Sequence, residues 1–278
     1  MSTRENQARL VAAKLSKYAR ELGVPYPQVL TEFLLERLAS RLMGSKDLAG
    51  RLIFKGGYVS LRVYDSPRYT IDLDALLSNG NLESVIESAR TAAEAVIGDA
   101  VWFRFEKSVD LETQGEYGGM RLAFRAGIGE ILQNIKRAQV INLDIGKGDP
   151  IVPGPVDVET PFLLGGGILS WRVYPVETTV SEKLHALIVR GSASSRSKDI
   201  FDLNLLLPKC DSANLKKSLA ETFRYRGEKL PADIVDCIKQ IDTKVLAAGW
   251  KSAVITILNP SKFQDAFEEL IRKLSQIY

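Results

Sequence analysis

Asp72 and Asp74 are the residues whose type and spacing first suggest chemistry. They form an Asp-x-Asp in Arg68-Tyr69-Thr70-Ile71-Asp72-Leu73-Asp74, shortly after Phe54-Lys55-Gly56-Gly57-Tyr58. In a strand, side chains two apart share a face, so both carboxylates would project together while Ile71 and Leu73 turn to the core. Two carboxylates ~4 Å apart repel by about 4 kcal/mol at an effective dielectric near 20. A hard divalent cation with oxygen ligands, Mg2+ above all or Mn2+, relieves that repulsion. A diglycine opening a helix offers bare N–H groups to phosphate. Gln139-Val140-Ile141-Asn142-Leu143-Asp144-Ile145 alternates as a strand does and sets Asn142 and Asp144 on one face. Two metals clamped by three carboxylates suit in-line phosphoryl or nucleotidyl transfer. Asp72, Asp74 and Asp144 are therefore the expected metal ligands, against the plainer reading of an exposed strand edge.

Other residues near these motifs leave alternatives open. Thr70 shares the face of Asp72 and could bond phosphate, hold a carboxylate, or simply fill a strand position. Lys55 could lie over phosphate or be a surface lysine at a strand end. Arg68 could organise the acidic strand by pairing with Asp72 or Asp74. Lys183 has Leu184, Ala186, Leu187 and Ile188 beside it, and a partly buried ammonium needs an anion. A triphosphate is one such anion; Glu177 or Glu182 is another. His185 is the only histidine. It excludes His-rich metal sites, leaves a Ser-His-Asp or Cys-His hydrolase resting on one residue, and reads as structural.

The elements that must position these groups follow from periodicity. Helical spacing is expected from Leu10 to Tyr18, ending near Gly23, and from Val29 to Leu42, ending near Gly44. A short strand at 51–54 leads into the diglycine and a helix at 58–63. The acidic strand is expected at 70–77 and a helix at 82–96. Strands follow at 101–111, 120–126, 139–145, 156–162 and 169–173, the first two joined by a hairpin marked by Gly115 and Gly118-Gly119. From residue 176 only helices are expected, at 177–189, 198–206, 212–225, 231–247 and 260–275, with a flexible loop at 191–195. This is an α+β chain: a mixed-sheet core with N-terminal helices over 1–174, and a C-terminal helical domain over 175–278. One active site drawing on both parts requires the helices to fold back over the sheet.

Composition sets bounds. Lys and Arg number 37 against 34 Asp and Glu, a net charge of +3 that names no partner by itself. Basic residues gather at 190–198 and at Lys216, Lys217, Arg224, Arg226 and Lys229, a pattern more typical of a solvated face than of a nucleic-acid groove. Cys210 and Cys237 form no framework and no metal-ligand spacing, which suits a reducing cytoplasm. No apolar run is long enough for a membrane span, and the start of the chain is polar.

Four ordered segments carry a resemblance. Phe33-Leu34-Leu35-Glu36-Arg37-Leu38 with Ile53-Phe54-Lys55-Gly56-Gly57 is similar to the opening of the AbiEii/AbiGii-type nucleotidyltransferases, a family that includes the MenT toxins and has a DNA polymerase β-like core. Arg68-x-Thr70-x-Asp72-x-Asp74 resembles its metal motif, and Leu143-Asp144-Ile145-Gly146-Lys147-Gly148-Asp149 its third-carboxylate segment. Tyr174-Pro175-Val176-Glu177-Thr178, Glu182-Lys183-Leu184 and Arg196-Ser197-Lys198-Asp199-Ile200-Phe201-Asp202-Leu203 resemble its third and fourth motifs. The resemblance covers about 26–207. It implies Mg2+-dependent transfer of a nucleoside monophosphate from an NTP to an acceptor hydroxyl, with Lys55, Gly56, Gly57, Thr70 and Lys183 on the nucleotide. Catalysis would involve Asp72, Asp74, Lys183 and Asp199, with Arg68 and Asp202 as further candidates. It also implies the toxin of a toxin–antitoxin or phage-defence pair, a cognate antitoxin, and an RNA acceptor such as the tRNA 3′ end. A small-molecule nucleotidyltransferase and a non-catalytic nucleotide-binding regulatory module stand as alternatives.

Overall fold

A computed structural model describes residues 3–111, 118–191 and 196–278. Gly115 of the expected hairpin turn and residues 192–195 of the expected loop lie outside the described residues. The fold is α+β, with a seven-stranded mixed sheet and ten α-helices among the described residues. The chain divides into two compact units. The first comprises Met1–Val59, Tyr69–Gly148 and Asp157–Val173; the second comprises Ser60–Arg68, Asp149–Val156 and Tyr174–Tyr278.

The first unit holds α1 (Thr3–Leu22), α2 (Tyr26–Gly44), β1 (Leu52–Lys55), the start of α3 (Gly56–Val63), β2 (Asp72–Leu77) and α4 (Leu82–Glu94). It continues with β3 (Val101–Leu111), β4 (Gly119–Ile128), β5 (Gln139–Lys147), β6 (Val156–Pro161) and β7 (Ile168–Val173). Strand order across the sheet is β3-β4-β5-β2-β1-β7-β6. β2 runs parallel to β5 and antiparallel to β1; β4 runs antiparallel to β5 and to β3. The ladders put Phe54, Ala75, Leu73, Leu143, Ile145, Leu122 and Phe124 on one face, all buried. α2 packs against β2, β5, β7 and α4, and from Phe33 to Ala39 every residue of it is buried. That is why its apolar pattern is broader than a single stripe. Further along α2 the buried Arg41 makes two bonds to the Asp99 carboxylate, at 2.7 and 2.8 Å.

The second unit is helical. It contains α5 (Val176–Arg190), α6 (Ser197–Leu206), α7 (Ser212–Tyr225), α8 (Ile234–Lys239), α9 (Thr243–Ala253) and α10 (Phe263–Leu274). Val180, Leu184, Leu187, Ile200, Leu203, Leu219, Phe223 and Leu270 meet in its core. The single helix expected at 231–247 is two, α8 and α9. Asp233 and Asp242 each accept a backbone N–H of the following turn, so Asp242 starts a new helix where apolar spacing suggested continuation. The acidic strand begins at Asp72, two residues later than expected, and Ile71 is 55% exposed and outside the core.

Candidate metal and nucleotide site

Strand register builds the acidic cluster. In the parallel β2–β5 ladder Asp72 stands opposite Asn142 and Asp74 opposite Asp144. Parallel pairing keeps like positions on one face, so the two-residue period of each strand brings all three acids together. One carboxylate oxygen from each of Asp72, Asp74 and Asp144 lies within 4.8 Å of the others. Three hard oxygen donors at this spacing can hold a divalent metal, and no histidine or thiol competes to make the site soft.

Flanking strands supply the opposite charge. Lys55 on β1 pairs with Asp74, and Arg121 on β4 pairs with Asp144. A row of four strands thus reads Lys55, Asp74, Asp144, Arg121. Arg121 donates from Nε and Nη2 to the two oxygens of Asp144, at 2.7 and 2.6 Å. That hydrogen bond holds the Arg121 guanidinium above its usual range; partial burial opposes it, and the charges of Asp144, Asp72 and Asp74 add to it. Sequence reasoning missed Arg121. Its only signal is its place on a strand beside β5, which register alone turns into a contact.

The diglycine sits where a side chain would not fit. Gly56 has φ +73°, and a β-carbon there would overlap the Asp74 carboxylate. A β-carbon on Gly57 would come within 2.8 Å of the Thr70 hydroxyl oxygen. The start of α3 therefore lies directly against Asp74 and Thr70, an approach that only glycine permits. Thr70 donates its hydroxyl to Asp72 Oδ1 at 2.8 Å, so of its sequence readings the carboxylate-holding one is realised here. Tyr58, next in α3, is fully buried and packs its ring near Trp171, with centroids 5.8 Å apart.

The remaining candidates assemble within the helical unit. Lys183 Nζ donates to Asp199 at 3.0 Å and to Asp202 at 2.7 Å. Arg68 donates from Nε and Nη2 to the two Asp202 oxygens, both at 2.9 Å, and Arg196 donates to Asp199 at 2.9 Å. The result is an alternating chain, Arg68–Asp202–Lys183–Asp199–Arg196. Asp199 and Asp202 are thus carboxylate partners of Lys183 that sequence reasoning did not name, and Arg68 engages Asp202. Glu177 accepts the Asp211 N–H at 2.9 Å. Burial alone would lower the Lys183 ammonium, but Asp202 and Asp199 together hold it above its usual range. Burial pushes the Asp202 carboxyl up, and the charges of Lys183 and Arg68 outweigh it and hold it below.

His185 packs inside the helical unit. Its ring lies edge-on to Phe223, centroids 4.7 Å apart, and its Nδ1 takes an N–H from Arg226 at 3.0 Å. Burial, then the charges of Arg226 and Arg190, lower its pKa to about 4. It is neutral near pH 7. Cys210 and Cys237 are both free, and burial pushes the Cys210 thiol up to about 12, far from thiolate chemistry. No helix among the described residues is long and apolar enough to cross a membrane.

No curated protein sequence matches the chain. Among solved structures, an H. pylori protein described provisionally as a nucleotidyltransferase matches 91% of this chain and 96% of its own, at 14% identity and a TM-score of 0.51. At that identity the likeness speaks for the fold alone. The H. pylori protein JHP933 matches 88% of each chain at 15% identity, with a TM-score of 0.48. The family model described as the nucleotidyl transferase AbiEii toxin of type IV toxin–antitoxin systems matches residues 37–272, which contain the three acids, the diglycine, Lys183 and Asp199. The chain belongs to that AbiEii nucleotidyltransferase toxin family.

Proposed function

We propose that this nucleotidyltransferase uses Mg2+, held by Asp72, Asp74 and Asp144, to move a nucleoside monophosphate from an NTP onto an RNA hydroxyl, the tRNA 3′ end being the first candidate. The acceptor oxygen bonds to the α-phosphorus, the bond from that phosphorus to the bridging oxygen breaks, and pyrophosphate leaves with the electron pair. The hydroxyl proton passes to solvent. The observation that carries this reading is the convergence of three carboxylates within 4.8 Å, directly against the start of α3. Bound Mg2+ would offset the charge of the phosphates and lower the pKa of the attacking hydroxyl. The chain's own groups complete the arrangement. Gly56 and Gly57 bring the N-terminus of α3 against the acids, on the side where the phosphates of the NTP would lie. Thr70 fixes Asp72, and Lys55 supplies positive charge beside Asp74. Activity is further proposed to depend on Lys183 and Asp199, with Arg68 and Asp202 holding the network. A cognate antitoxin, and cytoplasmic action where NTP and RNA are available, belong to the same reading.

The test is incubation with each labelled NTP, Mg2+ and total tRNA, followed by a denaturing gel. Label on tRNA that disappears in Asp72→Ala is the expected result. Label transferred only to small hydroxyl compounds identifies a small-molecule transferase. NTP binding with no transfer to any acceptor identifies a regulatory module.

A further inference from the structure

The face of the sheet that carries the acids does not end at Asp144. Register extends it outward over β4 and β3. Arg121, Ala123 and Arg125 follow on β4 at two-residue spacing, opposite Asp144, Asn142 and Val140 of β5. On β3 the same face receives Val109 opposite Arg121, Lys107 opposite Ala123 and Arg104 opposite Arg125. The ladder shifts between Phe105 and Lys107, leaving Glu106 as the extra residue. Such a bulge re-aims side chains, and here Glu106 accepts two bonds from Arg125, both at 2.9 Å.

This outer part of the face is open and positive. Arg104 and Lys107 are exposed, as is Lys136 on the 3-10 turn before β5. Arg125 reaches the Lys136 carbonyl at 3.0 Å, which fixes that turn at the edge of the same face. Glu106 is the acid among these cations: its bond to Arg125 leads in holding its carboxyl below the usual range, and the charges of Arg125, Lys107 and Lys136 add to this. Apolar side chains interrupt the charge where core packing does not require them. Val109 is 44% exposed and Val140 37%. Alternating cations and bare apolar side chains on an open sheet suit a single-stranded nucleic acid, whose phosphates and base faces need one of each.

We propose that the β4–β3 face, through Arg104, Lys107 and Lys136, is the docking track for a single-stranded RNA end whose terminal hydroxyl lies at the Asp72–Asp74–Asp144 cluster. The proposal rests on the reading of RNA as acceptor. Two strand spacings and four residues along β4 give a track of roughly 15 Å, so it engages the last few nucleotides of a strand. Arg121 is bound to Asp144 and Arg125 to Glu106, so the three exposed cations supply the phosphate contacts.

The experiment compares full-length wild type, the triple variant Arg104→Ser/Lys107→Ser/Lys136→Ser, and a control, Lys239→Ser/Lys244→Ser/Lys251→Ser. The control removes the same charge from exposed positions of the helical unit. Transfer to total tRNA and to a single-stranded oligoribonucleotide is measured against salt, alongside NTP binding. The triple variant should raise KM for RNA at least tenfold and lower the log–log salt slope by about 2, as loss of three single-strand phosphate contacts dictates. Its NTP affinity and melting temperature should match wild type, as should all parameters of the control. An unchanged RNA KM in the triple variant, or an equal loss in the control, overturns the docking face and leaves the RNA reading standing. Wild-type transfer to small hydroxyl compounds or to DNA but to no RNA overturns both.

Discussion

Arg121 and Asp144 face each other across the β4–β5 ladder and share two charge-assisted hydrogen bonds, at 2.7 and 2.6 Å. The Asp144 side chain is 12% exposed and that of Arg121 is 40% exposed. The guanidinium therefore occupies the same carboxylate oxygens that a metal would use, and it offsets part of the charge of the three-acid cluster when no metal is bound. Arg121→Gln should cost about 1 kcal/mol of stability without Mg2+ and less with it. The melting temperature gained on adding Mg2+ should be larger in the variant than in wild type. Equal gains would mean that the guanidinium and the metal do not compete for Asp144.

The acids are expected to matter for activity and to weigh against stability. Asp72→Ala or Asp74→Ala removes one of three mutually repelling charges, so metal-free melting should hold or rise slightly. Transfer should fall by at least ~100-fold, because metal-ion stabilisation is worth several kcal/mol. Calorimetry with and without Mg2+, beside a transfer assay, reads both effects. A variant that still transfers at the wild-type rate removes its acid from the metal site.

Gly56 allows the contact between α3 and the acidic strand. Its φ of +73° is strained for any L side chain, and a β-carbon there would meet the Asp74 carboxylate. Gly56→Ala should lower stability by about 1–3 kcal/mol and displace Asp74, removing transfer as well. Gly44→Ala, at the end of α2 with nothing within 4 Å of the added carbon, serves as the contrast and should be near neutral or stabilising. Urea midpoints for the two variants are the measurement. Similar midpoints would show that the backbone at Gly56 adjusts at little cost.

What could be read from sequence follows from how far apart the interacting residues lie. Asp72 and Asp74 share a face by the two-residue period of one strand, and the diglycine before them marks a tight approach to a helix start. Asp144 needed only a second alternating strand. Arg121 was not legible, because its contact depends on the register of β4 against β5. The carboxylate partners of Lys183 were not legible for a related reason. Glu177 and Glu182 are close in sequence but six and one positions away, spacings that do not face Lys183 on a helix. Asp199 and Asp202, three apart on α6, present two carboxylates from one face, and only packing of α5 on α6 reveals them. The break between α8 and α9 was hidden because apolar residues continue on both sides of Asp242, whose capping role is a local bond that periodicity does not see.

Those partners set what a Lys183 substitution should do. Methionine at position 183 would keep the packing of the stem and remove only the charge. In the structure the ammonium bonds two carboxylates whose side chains are 3% and 1% exposed. Removing it leaves Asp199 and Asp202 buried with Arg196 and Arg68 as their other partners. The expected loss is about 3–5 kcal/mol at neutral pH. The sign of its pH dependence follows from Asp202. Its folded carboxyl is held below the ordinary value of about 3.9. The stability it contributes is thus present above that value and is lost as pH falls through the lower folded one. Lys183, held above its ordinary value, keeps its contribution throughout this acid range. The gap between wild type and Lys183→Met should therefore be widest near pH 7 and shrink as pH drops below about 4. Denaturant unfolding at pH 7, 5 and 3.5 measures it. A gap that stays constant down to pH 3.5 while activity is lost would mean that Lys183 contributes little to the folded state through Asp202 and acts on the reaction instead.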